Sequence, residues 1–351
     1  MSRKILLVDR GNPASANPPL ASALRDEGYI VDCLTVPYDA RAHGLLHILF
    51  ASVRLRTYDA IAVSEYRLAW ALCVRLIFTF ARARLVVVGF NQSSRLYRTS
   101  VAWLDRLLNL IWRRVGFVIV HSRDEARLFH RLHAIPEDRF HFVHWGYDLP
   151  ALADDYRPPF DDYVCMIGRN NRDVATFCAA VDRAGINGIL VTSRQMARQM
   201  PAPPSERVRL LVDIPMDECL AIVARSWAHL VLVVDGERGA GHISAVSAML
   251  LGKAHIFSDV DTLADYLIDG FNGIAVPLRD VAAIADALVR LRDDRPLRER
   301  MAGNGHDLAV EWMSHEAPTR QLSAVVIAAA EGRSFEQDNA WDRARAGIAT
   351  A

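Results

Sequence analysis

The chain has 351 residues, more than one ordinary core accommodates, and so implies two domains of roughly 150 to 180 residues each. Its composition is 52% hydrophobic, with 41 basic side chains against 41 acidic ones, which is globular and excludes a charged tail. That neutrality argues against nucleic acid as a partner, because holding a phosphate backbone needs a basic surplus. Five scattered cysteines, with no CxxC pair and no Cys/His cluster at zinc spacing, predict reduced thiols in a cytoplasmic protein and no metal.

The amino terminus, MSRKILLVD, lacks the apolar core and cleavage site of a signal peptide. Apolar runs at 5–8, 30–36, 60–63, 85–88, 117–120 and 140–143 read as strands, with segments of helical period between them. A second set follows at 163–167, 189–192, 208–212, 230–234, 255–257 and 274–276. Near-continuous apolar strands alternating with helices predict an α/β chain of two doubly wound, Rossmann-like domains. Ligand sites are then expected at the carboxyl ends of the strands, facing a cleft between the domains.

Several segments stand out in chain order. The loop after the first strand, DRGNPASANPPL, offers Gly11 and Asn12 either to a phosphate or to an ordinary proline-rich turn. Glu65, Tyr66, Asn91, Gln92 and Ser122 follow strand ends, the side of a doubly wound sheet on which ligands bind. The stretch 68–80 is apolar but carries Arg75 and is too short to span a bilayer. The segment 98–114, RTSVAWLDRLLNLIWRR, is a basic amphipathic helix that suits either core packing or peripheral contact with an anionic membrane.

The polar, proline-containing stretch 151–162 reads as the domain linker. It gives a first domain over 1–155 and a second over 156–312. A helix over 313–331 is expected to cross back to the first domain, and 332–351 reads as a flexible tail. In the second domain, Arg169 and Arg172 follow Gly168 at a strand end, where two guanidinium forks suit one anionic group, although Arg172 has Asp173 or a helix face as an ordinary partner. Farther on, an apolar run enters a loop with Gly236, Gly239 and Gly241 that opens into a helix at His242 and Ile243. Bare backbone and unpaired helix N–H groups of this kind suit a diphosphate, although a tight βα turn that binds nothing has the same composition.

Taken together, 117–129 and 135–148 (FVIVHSRDEARLF, IPEDRFHFVHWGYD), 163–181, 213–234 and 247–288 resemble the motifs of GT-B glycosyltransferases, specifically retaining glycosyltransferase family 4, in order and spacing. The resemblance implies sugar transfer from a nucleotide diphosphate sugar, UDP-linked rather than GDP-linked, to a hydroxyl acceptor, with retention and without cofactor or metal. It implies a first domain that binds the acceptor (a glycolipid, lipid-linked oligosaccharide or other glycoside) at the inner face of the cytoplasmic membrane. It assigns the diphosphate to Arg169, Arg172, Gly239, Gly241, Ile243 and Gly11, and the nucleoside to Ser193, Ile214 and Ser247. Acceptor contacts fall to Glu65, Asn91 and Ser122.

The chain departs from the family where two glutamates eight positions apart are usual: Ser247 and Gly239 occupy those positions. Glu237 and His242 are the substitutes expected to serve catalysis. The departure leaves a degenerate nucleotide-binding or partner subunit, or a nucleotide-sugar epimerase, as alternatives.

Overall fold

The computed structural model describes residues 3–10, 18–36, 48, 52–89, 109–153, 155–200, 202–237 and 239–350. Its chain divides into two compact units. Unit 1 comprises Met1–Val143 with Pro318–Ala351, and unit 2 comprises His144–Ala317.

Unit 1 holds a six-stranded parallel sheet in the order β2-β1-β3-β4-β5-β6. The strands are β1 (Lys4–Arg10), β2 (Ile30–Val36), β3 (Ala60–Val63), β4 (Arg84–Val88), β5 (Val115–Val120) and β6 (Phe140–Phe142). Successive residues feed opposite faces. Leu6, Val8, Ile61, Val63, Val87 and Val118 pack with the helix Tyr66–Phe78, which buries Leu68, Ala69, Leu72, Cys73 and Leu76 at helical spacing. Ile5, Leu7, Ala62, Val86 and Ile119 pack instead with the helix Pro18–Asp26 and with Leu322, Val325, Val326 and Ala329. Those last residues lie on the helix Glu316–Glu331, which belongs to the first unit from Pro318 onward.

Unit 2 holds a second parallel sheet, ordered β9-β8-β7-β10-β11-β12. Its strands are β7 (Val164–Ile167), β8 (Gly188–Thr192), β9 (Val208–Val212), β10 (Ala228–Val231), β11 (Ala254–Ser258) and β12 (Gly273–Val276). This is the doubly wound order in which the first and fourth strands lie side by side, so winding reverses between β7 and β10. Every strand expected from the sequence is present, because runs buried on both faces leave a continuous apolar signature.

Three expectations shift. Residues 144–150 belong to unit 2 rather than unit 1, because Tyr147 N–H bonds Met313 O at 3.1 Å and Trp145 N–H bonds the Tyr266 hydroxyl at 2.8 Å. The segment read as a flexible tail contains the helix Ala340–Thr350, with Trp341 buried and Asp342 2.9 Å from Arg123. Gln337 also bonds both the N–H and the C=O of Phe142, capping strand β6 as a neighbouring strand would. Of the amphipathic segment 98–114, residues 98–108 lie outside those described. Trp112 packs in the unit 1 core, which is the packing alternative. Among the described residues no helix is long and apolar enough to cross a membrane.

Candidate functional site

The loops after β7 and β10 meet at the point where the unit 2 sheet reverses its winding. Arg172 forms an isolated antiparallel bridge with Val233, and Asp173 N–H bonds Leu232 O at 3.1 Å. Asn171, held at φ +52°, donates from Nδ2 to Asp235 O at 3.0 Å. These bonds bring Gly168–Asp173 alongside the glycine-rich loop that ends at Gly241.

Arg172 dominates this junction. It is only 5% exposed, and three guanidinium N–H groups are used, donating to Ile167 O (3.2 Å), Asn170 O (3.1 Å) and Ser244 Oγ (3.1 Å). Among the described residues no carboxylate lies within ion-pairing distance of it, while its neighbour Asp173 spends both carboxylate oxygens on Thr176. Burial pushes the guanidinium down to about 10, and it remains cationic at neutral pH. A buried, unpaired charge costs several kcal/mol, and such a charge calls for an anion. Gly168 makes the space: a Cβ there would sit 2.2 Å from Arg172 Nε.

Above the guanidinium begins the helix His242–Leu250. Its N-cap is Gly241 at φ +103°, with no side-chain oxygen capping the first turn. A Cβ on Gly241 would fall 2.6 Å from Val231 Cγ1 and 3.7 Å from Arg172 Nη2, so helix start and guanidinium are neighbours. Both are positive, one by charge and one by the helix dipole, and each destabilises the other until an anion lies between them. Ser244, which sequence reasoning missed, links them by accepting from Arg172 and donating to Gly241 O at 3.0 Å. Its only signal was a hydroxyl in the first turn after the glycines.

The remaining candidates divide. Gly239 lies in the same loop, half-buried, and Ile243 is exposed in the helix's first turn. Glu237 is exposed, with its backbone N–H turned to Asp235 Oδ1 at 3.2 Å. Arg169 is an exposed side chain paired with Asp213 at 3.2 Å, not a buried twin of Arg172. Asp213 itself sits at φ +52° after β9. Ser193, at the end of β8, donates to Arg169 O and caps the helix Arg194–Arg198, and Ile214 is half-buried beyond β9.

Two assignments need correction. Ser247 turns inward and donates to Ile243 O at 2.7 Å, so its hydroxyl satisfies the helix backbone instead of facing a ribose. His242 is a buried packing group: its ring stacks on Tyr266 at 4.4 Å and its Nε2–H donates to Thr262 O at 2.8 Å. Burial pushes His242 down to about 4, so it is neutral and its Nε2 proton is committed.

In unit 1, Ser122 is fully buried and caps the helix Arg123–His133 by accepting from Asp124 N–H at 3.3 Å. Glu65 stands at the start of the helix Tyr66–Phe78, 3.9 Å from Arg67 Nε. Gly11 and Asn91 lie outside the described residues.

With this geometry in hand, comparison with known proteins is specific. Residues 203–307 match the family model described as glycosyl transferases group 1. An alpha-D-kanosaminyltransferase from Streptomyces kanamyceticus is 35% identical over 83 residues, 24% of this chain, so the chain spans only 22% of the length of that curated relative. Sucrose-phosphate synthase of Thermosynechococcus elongatus superposes with a TM-score of 0.71 at 17% identity, covering 94% of this chain and 100% of that one. HepE of Anabaena, solved in complex with UDP, superposes with a TM-score of 0.67 at 14% identity over 93% of this chain and 100% of its own. At such identities the likeness establishes fold alone, and the sequence match is confined to part of the second unit. The chain has the GT-B fold, and residues 203–307 in its second unit carry the likeness to glycosyl transferases group 1.

Proposed function

We propose that the protein transfers a sugar from a nucleoside diphosphate sugar to a hydroxyl, with unit 2 holding the donor's diphosphate between Arg172 and the start of the helix His242–Leu250. The observation that carries this reading is the buried Arg172 cation with, among the described residues, no carboxylate at ion-pairing distance, next to a helix whose N-cap, Gly241, offers no side chain. As the bond from sugar to diphosphate breaks, negative charge grows on the leaving phosphate. A preorganised cation and helix N–H groups stabilise that charge more than they stabilise the ground state. Arg169 lies on the exposed rim of the same loop, where its pairing with Asp213 can exchange for a phosphate oxygen.

The finer proposals are a UDP-linked donor in preference to a GDP-linked one, retention of configuration, no metal or other cofactor, and a glycolipid or other glycoside as acceptor. The UDP and UDP-glucose complexes of HepE support the first of these. A lipid-linked acceptor would bring unit 1 to a membrane surface.

The test is a panel of UDP- and GDP-sugars, followed by melting temperature and by release of nucleoside diphosphate. UDP and a UDP-sugar should raise the melting temperature, and one of the sugars should be turned over. No shift and no release with any donor overturns the proposal. A second reading rests on Ser247, which stands where the family places a glutamate and points into its own helix. Nucleotide binding without turnover, in a protein that activates a co-purifying transferase, would favour a non-catalytic subunit.

A further inference from the structure

The amino edge of the unit 1 sheet carries side chains that neither the core nor the transfer reaction uses. The helix Tyr66–Phe78 leaves the carboxyl end of β3 and runs back to this edge, where it stops in a tight turn. Phe80 N–H bonds Ile77 O and Ala81 N–H bonds Leu76 O, both at 3.2 Å, with Phe80 in the left-handed conformation at φ +50°. Glycine is the usual occupant of that position; here the chain presents an aromatic ring.

The rings point outward. Ile77 is 44% exposed, Phe78 79% and Phe80 83%, and Leu110, just before β5, is 47% exposed. The turn is fixed from both sides, since the Arg56 guanidinium donates to Thr79 O and that of Arg114 donates to Ala81 O. Arg139 in turn donates to Arg113 O at 2.9 Å. Arg54, Arg56, Arg82 and Arg113 are all exposed, and all precede β3, β4 or β5, on the same edge as the rings. Among the described acids, Asp59 is engaged by Lys4 N–H at 2.8 Å, and Glu137 and Asp138 stand before β6. The sequence from 66 to 104 contains six arginines and no aspartate or glutamate.

We propose that this edge docks onto an anionic phospholipid surface. Phe78, Phe80 and Ile77 would enter the boundary between headgroups and acyl chains, and the surrounding guanidinium groups would pair with lipid phosphates. Scattered exposed apolar residues need no explanation, but two phenylalanines and an isoleucine within four positions, ringed by arginine, form a surface with a defined chemistry. The charge selects the occupant: long arginine stems lie along apolar surface while their heads reach phosphate, and an anionic leaflet supplies the complement. The proposal deepens the membrane contact suggested above and rests on that part alone, and it moves the contact from the buried Trp112 to the Phe78–Phe80 turn.

The test is co-sedimentation of the full chain with phosphatidylcholine vesicles, with and without phosphatidylglycerol, at low and high salt. Binding should require phosphatidylglycerol and weaken at high salt. Phe78→Ser combined with Phe80→Gly should lower vesicle affinity by at least about tenfold, since each ring's transfer from water is worth about that much. Glycine relieves the left-handed backbone at position 80, so the variant should melt no lower than the parent, which separates lost docking from lost fold. Arg82→Glu should also weaken binding. Equal vesicle binding by parent and double variant overturns the proposal. So does a self-associating parent that binds no vesicles and becomes monomeric in the variant, because the occupant would then be a second copy of the chain. Donor turnover without vesicle binding overturns the docking surface and leaves the transfer reaction standing.

Discussion

Two helix starts in this molecule follow strands of doubly wound parallel sheets, yet one is closed and the other open. In unit 1, the helix Arg123–His133 begins at Ser122, whose hydroxyl accepts from the first turn and is wholly buried. In unit 2, the helix His242–Leu250 begins at Gly241, which offers no such oxygen, and Arg172 lies beneath it. The first start is self-sufficient: its dipole and first-turn N–H groups are answered within the chain. The second leaves them for a ligand and adds a buried cation. The proposed anion site is therefore marked less by glycine than by what has been withheld, namely a cap and a counter-ion. Asp173, Asp280 and Asp294 cap three other long unit 2 helices; the helix Met216–Arg225 also starts without a side-chain cap, at Pro215, but carries Asp217 and Glu218 in its first turn, whereas the helix after Gly241 carries no acid there.

The sharpest way to break this contrast is Arg172→Ala. Donor turnover, as kcat/KM, should fall roughly 100- to 1000-fold, the usual loss when one preorganised donor to a developing oxyanion is removed. Stabilisation by UDP should disappear with it. Arg169→Ala, an exposed and already paired residue, should cost less than about tenfold. If the two variants are equally impaired, burial of the cation is not what matters.

Acid comes next. Burial pushes His133, His141, His242 and His255 down to about 4 and His229 well below its ordinary 6.5. The folded state therefore holds these rings neutral, while the unfolded chain takes up protons near pH 6.5. Stability is complete above that value and declines as pH falls from 6.5 towards 4. Urea midpoints should show a loss of several kcal/mol across that interval, and a flat profile would mean the rings are not buried as described.

A smaller effect is expected from Gly241→Ala. A Cβ would press on Val231 at a φ that alanine tolerates poorly, which should cost about 1–3 kcal/mol and weaken UDP binding. Smallest is Ser122→Ala, which removes a cap and should cost about 1 kcal/mol with donor affinity unchanged. A change in donor affinity there would show that the closed helix start also serves the ligand.

Much of the frame was legible before any coordinates. Twelve apolar runs became twelve strands, because central strands of a parallel sheet are covered on both faces and stay largely apolar, while edge strands β2 and β9 carry exposed polar residues such as Asp32 and Arg209. The Gly236–Gly241 loop and the arginines after Gly168 were equally readable, since few residue types permit such turns. The site's ranking was not. Arg169 and Arg172 look alike in sequence, and only the bridge to Val233 drives one beneath the helix while the other stays on the rim beside Asp213. His242 and Ser247 carry reactive groups, yet Thr262 O and Ile243 O take up the hydrogen-bonding capacity expected to face a ligand.

The carboxyl-terminal segment teaches the same lesson. Its weak periodicity suggested a loose tail, but Gln337 bonds Phe142 on β6, 195 residues away, and Trp341 is buried. Likewise, nothing local at Phe80 announces a left-handed residue, because asparagine or glycine would be the recognisable choice. Sequence by itself determined which segments are strands, how often the chain crosses a sheet and where backbone stays bare, since these follow from short-range sterics and from periodic burial. Tertiary structure alone decided which cation lost its solvent, which hydroxyl lost its freedom and which rings stayed outside. Each of those outcomes depends on neighbours brought close by strand order, at separations that no local pattern records.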